Sequence, residues 1–263
     1  MSAPAAEVLL EVEGAVATLT LNDTARRNVM TPELGAALRT QVEALKLRRD
    51  VRAVVLTGAG GAFSSGGDLK MLERLRQSSF EEARTFMLDF YTRYLSVLDL
   101  PMPTVAAVEG PAIGAGLCVA LACDLCVVGE DSKLALNFVQ LGLHPGMGAT
   151  YFVPRRAGAQ AAAELLLTGR RFDGREAVRL GLALEAAPAG GVLARARALA
   201  ARIAGNAPLA TRALKQRLGP DRVALRTALE EEARFQAESY GSADLGEGLT
   251  AASERRAPVF QGH

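Results

Sequence analysis

Three short apolar runs constrain the fold more than any other feature. Ala53–Thr57, Thr104–Val108 and Asp124–Val128 are rich in Val and Ala, and none alternates between apolar and polar residues. Such runs predict strands covered on both faces, as in a parallel sheet. Parallel neighbours need a crossover of a dozen or more residues. The sequence supplies one each time: a helical region follows the glycine-rich loop 58–67 and extends to about Asp99, and an apolar helix starts near Gly114. The expectation is an α/β domain of stacked strand–loop–helix units.

Flanking signals extend this reading. Val8–Val12 and Val16–Leu21 surround Glu13-Gly14 and predict a hairpin. Thr31-Pro32-Glu33 opens a helix to about Leu47, with Thr as cap, Pro in the first turn and Glu at the positive end of the dipole. From Ala157 onward the pattern is almost all helix: Ala159–Thr168, Gly174–Leu180, Val192–Ile203, Pro208–Leu218 and Asp221–Glu238. We expect an α/β core over 1–195 and a helical capping or association region over 196–263.

Composition excludes several function classes. With 263 residues, 49% of them hydrophobic, the chain can bury a large core. A net charge of +1 without a Lys/Arg tract argues against nucleic-acid or acidic-membrane partners. Residues 1–10 lack a basic leader pattern, and no stretch of about 18 apolar residues occurs, so a soluble cytoplasmic protein is expected. His263 is terminal, which leaves His144 as the one internal imidazole. A multi-His metal site is therefore excluded, and no metal is expected. Cys118, Cys123 and Cys126 are odd in number, fit a reducing compartment, and read as small buried hydrophobes.

Gly58–Asp68 follows an apolar run where a phosphate loop could sit, but Gly58-x-Gly60-x-x-Phe63 lacks the third glycine and no Gly-Lys-Ser/Thr follows. Gly110–Gly116 repeats the arrangement of strand end, small residues and helix start. Two such loops on neighbouring strands could aim two N–H groups at one oxygen, or could serve only as turns.

At this level of detail the chain resembles the enoyl-CoA hydratase/isomerase (crotonase) superfamily. Ala62-Phe-Ser-Ser-Gly-Gly-Asp-Leu-Lys70 is similar to the first signature. Val105–Gly116, followed by Ala122-Cys-Asp124, is similar to the second. Leu141-Gly-Leu-His-Pro-Gly146, Leu166–Arg170, Asn206–Ala210 and Glu254–Phe260 match in order. The resemblance implies a core of stacked ββα turns, assembled as homotrimers or dimers of trimers. It also implies an acyl-CoA thioester substrate, with coenzyme A entering as part of the substrate and no permanently bound cofactor. The implied oxyanion donors are the main-chain N–H groups of Gly67 and Ala115. The implied coenzyme A grip involves Arg26, Arg27, Val29, Ser65, Gly67, Asp68, Leu69 and Lys70.

Two departures stand out. Where family hydratases carry the two glutamates that handle the proton, this sequence has Cys118 and Phe138. Each such group contributes roughly a hundred- to ten-thousand-fold, so the expected hydratase/isomerase chemistry loses its usual base and acid. Cys118 is a candidate replacement or a packed helix thiol, and His144 a candidate acid–base group or a structural loop residue. Asp68 reads as a helix cap, and Tyr240 as a possible acyl-pocket residue. Decarboxylation or thioester hydrolysis on the same fold is the alternative chemistry, and a non-catalytic acyl-CoA-binding subunit is the alternative class.

Overall fold

The computed structural model describes residues 7–263. Residues 1–6, part of the stretch read as leaderless and of the expected 1–195 core, lie outside the described residues. The chain opens with β1 (Val8–Glu13) and β2 (Val16–Leu21), an antiparallel hairpin turning at Gly14 with φ +57°. Helix α1 (Pro32–Lys46) follows, and the Thr31 hydroxyl accepts from the Leu34 N–H at 3.2 Å as the sequence predicts. Next come β3 (Ala53–Gly58), α2 (Leu69–Leu75) and α3 (Phe80–Tyr94), the last held by a Ser79/Glu82 capping box. Then β4 (Thr104–Val108), β5 (Ala112–Ile113), α4 (Ala115–Ala122), β6 (Leu125–Gly129) and β7 (Leu134–Ala135) complete the first half.

Helix α5 (Ala149–Thr168), β8 (Arg171–Phe172), α6 (Gly174–Arg179) and β9 (Glu185–Ala187) come next. Four helices end the chain: α7 (Val192–Ala204), α8 (Pro208–Leu218), α9 (Arg222–Tyr240) and α10 (Ala243–Glu254).

The main sheet has the order β1-β2-β3-β4-β6-β9, parallel throughout except for the β1/β2 hairpin. The three apolar runs are its central strands, and their alternate residues feed two separate cores. Val54, Leu56, Ala106, Val108 and Val128 face the large core under α1, α3, α4 and α9. Ala53, Val55, Val105, Ala107 and Val127 face α7, which meets them with Val192, Ala196, Ala200 and Ala204. Alanine every fourth residue gives that helix a flat side, so it lies close on the sheet. The expected division at 195/196 falls inside this helix. Helix α7 covers one face of the sheet, and α9 and α10 pack into the large core on the other.

The sequence reading also missed two helical stretches. Helix α5 begins at Ala149, ahead of the expected 159, and bends at Gly158, where φ is +77°. Pro154 and Gly158 read as breakers, yet burial of Tyr151, Phe152 and Val153 holds the first part helical. Helix α10 carries Gly246 and Gly248, which weaken its helical signal. A Cβ on Gly248 would collide with the backbone of Leu141, so the glycine is needed for α10 to dock there.

Candidate active site

The site is built from loops at the carboxyl ends of parallel strands, the usual location for ligands in open α/β sheets. The loops after β2, β3 and β4 lie side by side and are stitched by main-chain hydrogen bonds. Met30 N–H donates to the Gly66 carbonyl at 2.8 Å and Ser65 N–H to the Arg27 carbonyl at 3.0 Å. Phe63 and Ser64 donate to the Pro111 carbonyl at 3.0 and 3.1 Å, and Ile113 donates back to Ser64 at 3.1 Å. Asn28, fully buried with φ 54°, clamps the assembly: its Nδ2 donates to the carbonyls of Ala59 (3.0 Å) and Ala62 (2.7 Å), and its Oδ1 accepts from Asp23 N–H. Sequence reasoning passed over Asn28. The signal was present, since Asn tolerates a left-handed backbone better than most residues and here follows Arg26-Arg27 in a loop.

This stitching frees two N–H groups. Gly67 pairs with Met30 as a parallel bridge in which Gly66 and Asp68 carry the hydrogen bonds. In that geometry the N–H of Gly67 points to the opposite side. A Cβ there would meet nothing within 4 Å. Ala115 is the first residue of α4, where the N–H has no partner inside the helix. It is absent from the residues with positive φ; the left-handed turn falls on Gly114, at φ 54°. Alanine at this position therefore brings no strain.

Gly67 and Ala115 border one cavity of about 560 Å³. Arg26, Val29, Ser65, Asp68, Leu69 and Lys70 line the same space, while Arg27 does not. Arg26 is ion-paired with Asp23 at 2.6 Å. Asp68 caps α2 through Oδ1, which accepts from Lys70 N–H at 2.8 Å. Phe138, one of the two positions where the resemblance led us to expect a glutamate, also lines the cavity.

The structure separates the two candidate proton carriers from this space. Cys118 is fully buried in α4 and is not among the lining residues. Burial pushes its thiol well above the ordinary range, and the nearby Glu232 adds to the effect. His144 is half-buried outside the lining, stacked on Phe235 at 4.8 Å with Nδ1 2.7 Å from the Pro145 carbonyl oxygen. Burial lowers its pKa. Cys123 and Cys126 are buried free thiols, each pushed up to about 12 by burial.

Tyr240 does line the cavity, and so do two polar residues that the sequence did not reveal, Tyr91 and Gln236. The Tyr91 hydroxyl donates to Gln236 Oε1 at 2.8 Å, and Gln236 Nε2 donates to the His144 carbonyl at 2.8 Å. Burial raises the pKa of both phenols, so both keep their protons. The site thus offers two main-chain donors, two neutral phenols and cations on the loop side.

A sequence profile described as enoyl-CoA hydratase/isomerase matches residues 11–263. The chain belongs to the enoyl-CoA hydratase/isomerase family. A Thermus thermophilus relative named for enoyl-CoA hydratase is 41% identical over 254 residues, covering 96% of this chain and 100% of the relative. Among solved structures, the enoyl-CoA hydratase from Bacillus halodurans superposes with a TM-score of 0.86 at 27% identity, over 93% of this chain and 99% of that one. EchA1_1 from Mycobacterium paratuberculosis gives 0.86 at 33% identity, over 98% and 100%. The crotonase fold, with its helical C-terminal region, is that of this family member.

Proposed function

We propose that this family member binds an acyl-CoA thioester in the cavity and stabilises the derived enolate with the main-chain N–H groups of Gly67 and Ala115. The observation that carries the reading is the convergence on one cavity of two loop residues whose N–H groups the surrounding pairing leaves unused. Arg26, Val29 and the segment Ser65–Lys70 form the wall suited to the coenzyme A portion. Removing one such donor typically costs about 3–4 kcal/mol of transition-state stabilisation.

The lining favours a reaction that forms the enolate without a base. Asp68 is the one carboxylate among the lining residues, and it caps a helix; Phe138 stands where a glutamate would act. Decarboxylation of a malonyl-type thioester meets this condition. The bond from Cα to the carboxylate breaks and carbon dioxide leaves. The bonding pair becomes the enolate, and a proton from water then completes Cα, the hydroxide left behind combining with the carbon dioxide as bicarbonate. Hydration of an enoyl-CoA, the reaction the relatives are named for, would need its proton carriers from elsewhere.

The test is a panel of crotonyl-, malonyl- and butyryl-CoA incubated with the protein, with products followed by mass spectrometry. Loss of carbon dioxide from malonyl-CoA supports decarboxylation, and 3-hydroxybutyryl-CoA from crotonyl-CoA supports hydration. Binding without turnover supports an acyl-CoA-binding subunit. Absence of binding to every ester overturns the acyl-CoA reading.

Self-association in trimers is part of the same proposal. Helix α8 buries none of its residues and exposes Leu209, Leu214 and Leu218, a surface suited to contact with further copies. Light scattering after size-exclusion chromatography checks it. Three free buried thiols fit a reducing compartment such as the cytoplasm. Among the described residues no helix is long and apolar enough to cross a membrane.

A further inference from the structure

One part of the cavity wall is polar where its surroundings are not. Tyr91, Gln236 and Tyr240 are 1%, 2% and 2% exposed, and they stand among Met87, Phe90, Phe138, Leu143 and Met147. Buried polar groups are normally paired with nitrogen or oxygen, because an unpaired one forfeits its hydration. Tyr240 breaks this pattern. Its hydroxyl has the Met87 thioether as its hydrogen-bond partner, at 3.2 Å, and sulfur is a weak acceptor. Gln236 gives one of its two amide hydrogens to the His144 carbonyl. Tyr91 spends its proton on Gln236 and also meets the Met147 backbone, so it holds Gln236 in place.

The neighbouring glycine keeps this group uncovered. A Cβ on Gly146 would collide with the Tyr91 hydroxyl and lie 2.7 Å from Gln236 Nε2. Gly146 lines the same cavity, so its missing side chain leaves polar atoms facing the space a ligand would fill.

We propose that Tyr240, with Gln236 and Tyr91 beside it, forms a subsite for an oxygen of the acyl group other than the thioester carbonyl. The inference rests on the acyl-CoA reading above and adds the substrate class. Tyr240 and Gln236 have the donors to spare, so the ligand atom they meet must be an acceptor. In an acyl chain that is a hydroxyl, keto or carboxylate oxygen. The cations lining the cavity, Arg26 and Lys70, stand on the coenzyme A wall, so the subsite recognises the oxygen by hydrogen bonding. A saturated hydrocarbon chain would bury these donors unpaired.

Calorimetric titration of the wild-type protein and Tyr240→Phe with butyryl-, 3-hydroxybutyryl-, acetoacetyl- and malonyl-CoA tests this. Phe keeps the ring that packs on Met87, so the fold is retained and an unchanged Tm confirms it. The expected result is that at least one oxygenated ester binds the wild type more tightly than butyryl-CoA. Tyr240→Phe should weaken that ester roughly 3- to 10-fold, with butyryl-CoA moving less than twofold. A loss confined to the hydroxy and keto esters identifies a neutral oxygen, and one confined to malonyl-CoA a carboxylate; either upholds the subsite. Equal weakening of all four esters, or no change in any, overturns it while leaving the acyl-CoA reading intact. Failure of the wild type to bind any ester, butyryl-CoA included, removes both.

Discussion

The carboxylate of Glu232 accepts two hydrogen bonds from Thr150, from its N–H at 2.8 Å and from its hydroxyl at 2.6 Å. Gly148 N–H donates to the second oxygen at 2.7 Å. A carboxylate on α9 thereby caps α5, and the C-terminal helices are fastened to the loop carrying Gly146. Glu232 is 1% exposed, and burial lifts its pKa from 4.5 to about 7 against the pull of these three donors.

That shift predicts a pH dependence of stability. The folded pKa lies above the unfolded one, so above pH 4.5 the unfolded chain releases a proton that the native state still holds. Stability contributed by this group therefore falls as pH rises from 4.5 to 7, by roughly 3 kcal/mol, and is level above that. Urea unfolding at pH 5, 6 and 8 should show wild-type stability declining relative to Glu232→Gln. A constant difference across those pH values would contradict the assignment.

Helix α8 has no buried residue, and its tether to the core is Lys215. Lys215 Nζ lies 2.8 Å from Asp124 Oδ2, which also accepts from the Thr104 N–H at 2.7 Å and hydroxyl at 2.9 Å. Lys215→Ala should raise amide hydrogen exchange across 208–218 and cost about 1–3 kcal/mol, below the range for fully buried pairs because Asp124 is partly exposed. Exchange rates matching the wild type would mean that other contacts hold the helix.

Ala115 offers a way to delete one N–H with little change elsewhere. Proline is tolerated in the first turn of a helix and lacks the N–H. Ala115→Pro should lower kcat on whichever CoA ester is turned over by about 100- to 1000-fold. The Kd for free coenzyme A, measured by calorimetry, should stay within a few-fold of wild type.

Cys118→Ala makes the opposite prediction. The thiol is buried, protonated and absent from the cavity lining. Turnover and CoA-ester affinity should therefore match the wild type, with a cost confined to about 1 kcal/mol of lost packing. A tenfold fall in kcat at unchanged Tm would restore the thiol as a proton carrier.

Gly110 joins the two glycine loops. It has φ +68°, and a Cβ there would collide with the Gly61 carbonyl oxygen. Gly110→Ala should destabilise by about 3 kcal/mol or more, since backbone strain and a clash with main chain add. Thermal unfolding of the purified variant checks this.

Much of the architecture was legible because its signals are local. The apolar runs of β3, β4 and β6 declare two-sided burial by composition, and Thr31 and Asp68 are caps identifiable from their immediate neighbours. Both glycine loops were legible for the same reason. Helix α10 was not, because its glycines depress helical propensity and only docking on Leu141 explains them.

The sequence by itself determined which segments become most of the strands and helices and where the small-residue loops fall. It could not determine which side chains reach the cavity. Every residue of α4 from Gly116 to Ala122 is buried, so the pattern has no polar face from which the direction of Cys118 could be read. Tyr91 and Gln236 meet across 145 positions, and no periodicity links residues so far apart. Tertiary packing alone sealed Cys118 away, turned His144 against Phe235 and brought Tyr91, Gln236 and Tyr240 together. Burial and hydrogen bonding are settled where helices dock, and local sequence constrains that docking only weakly.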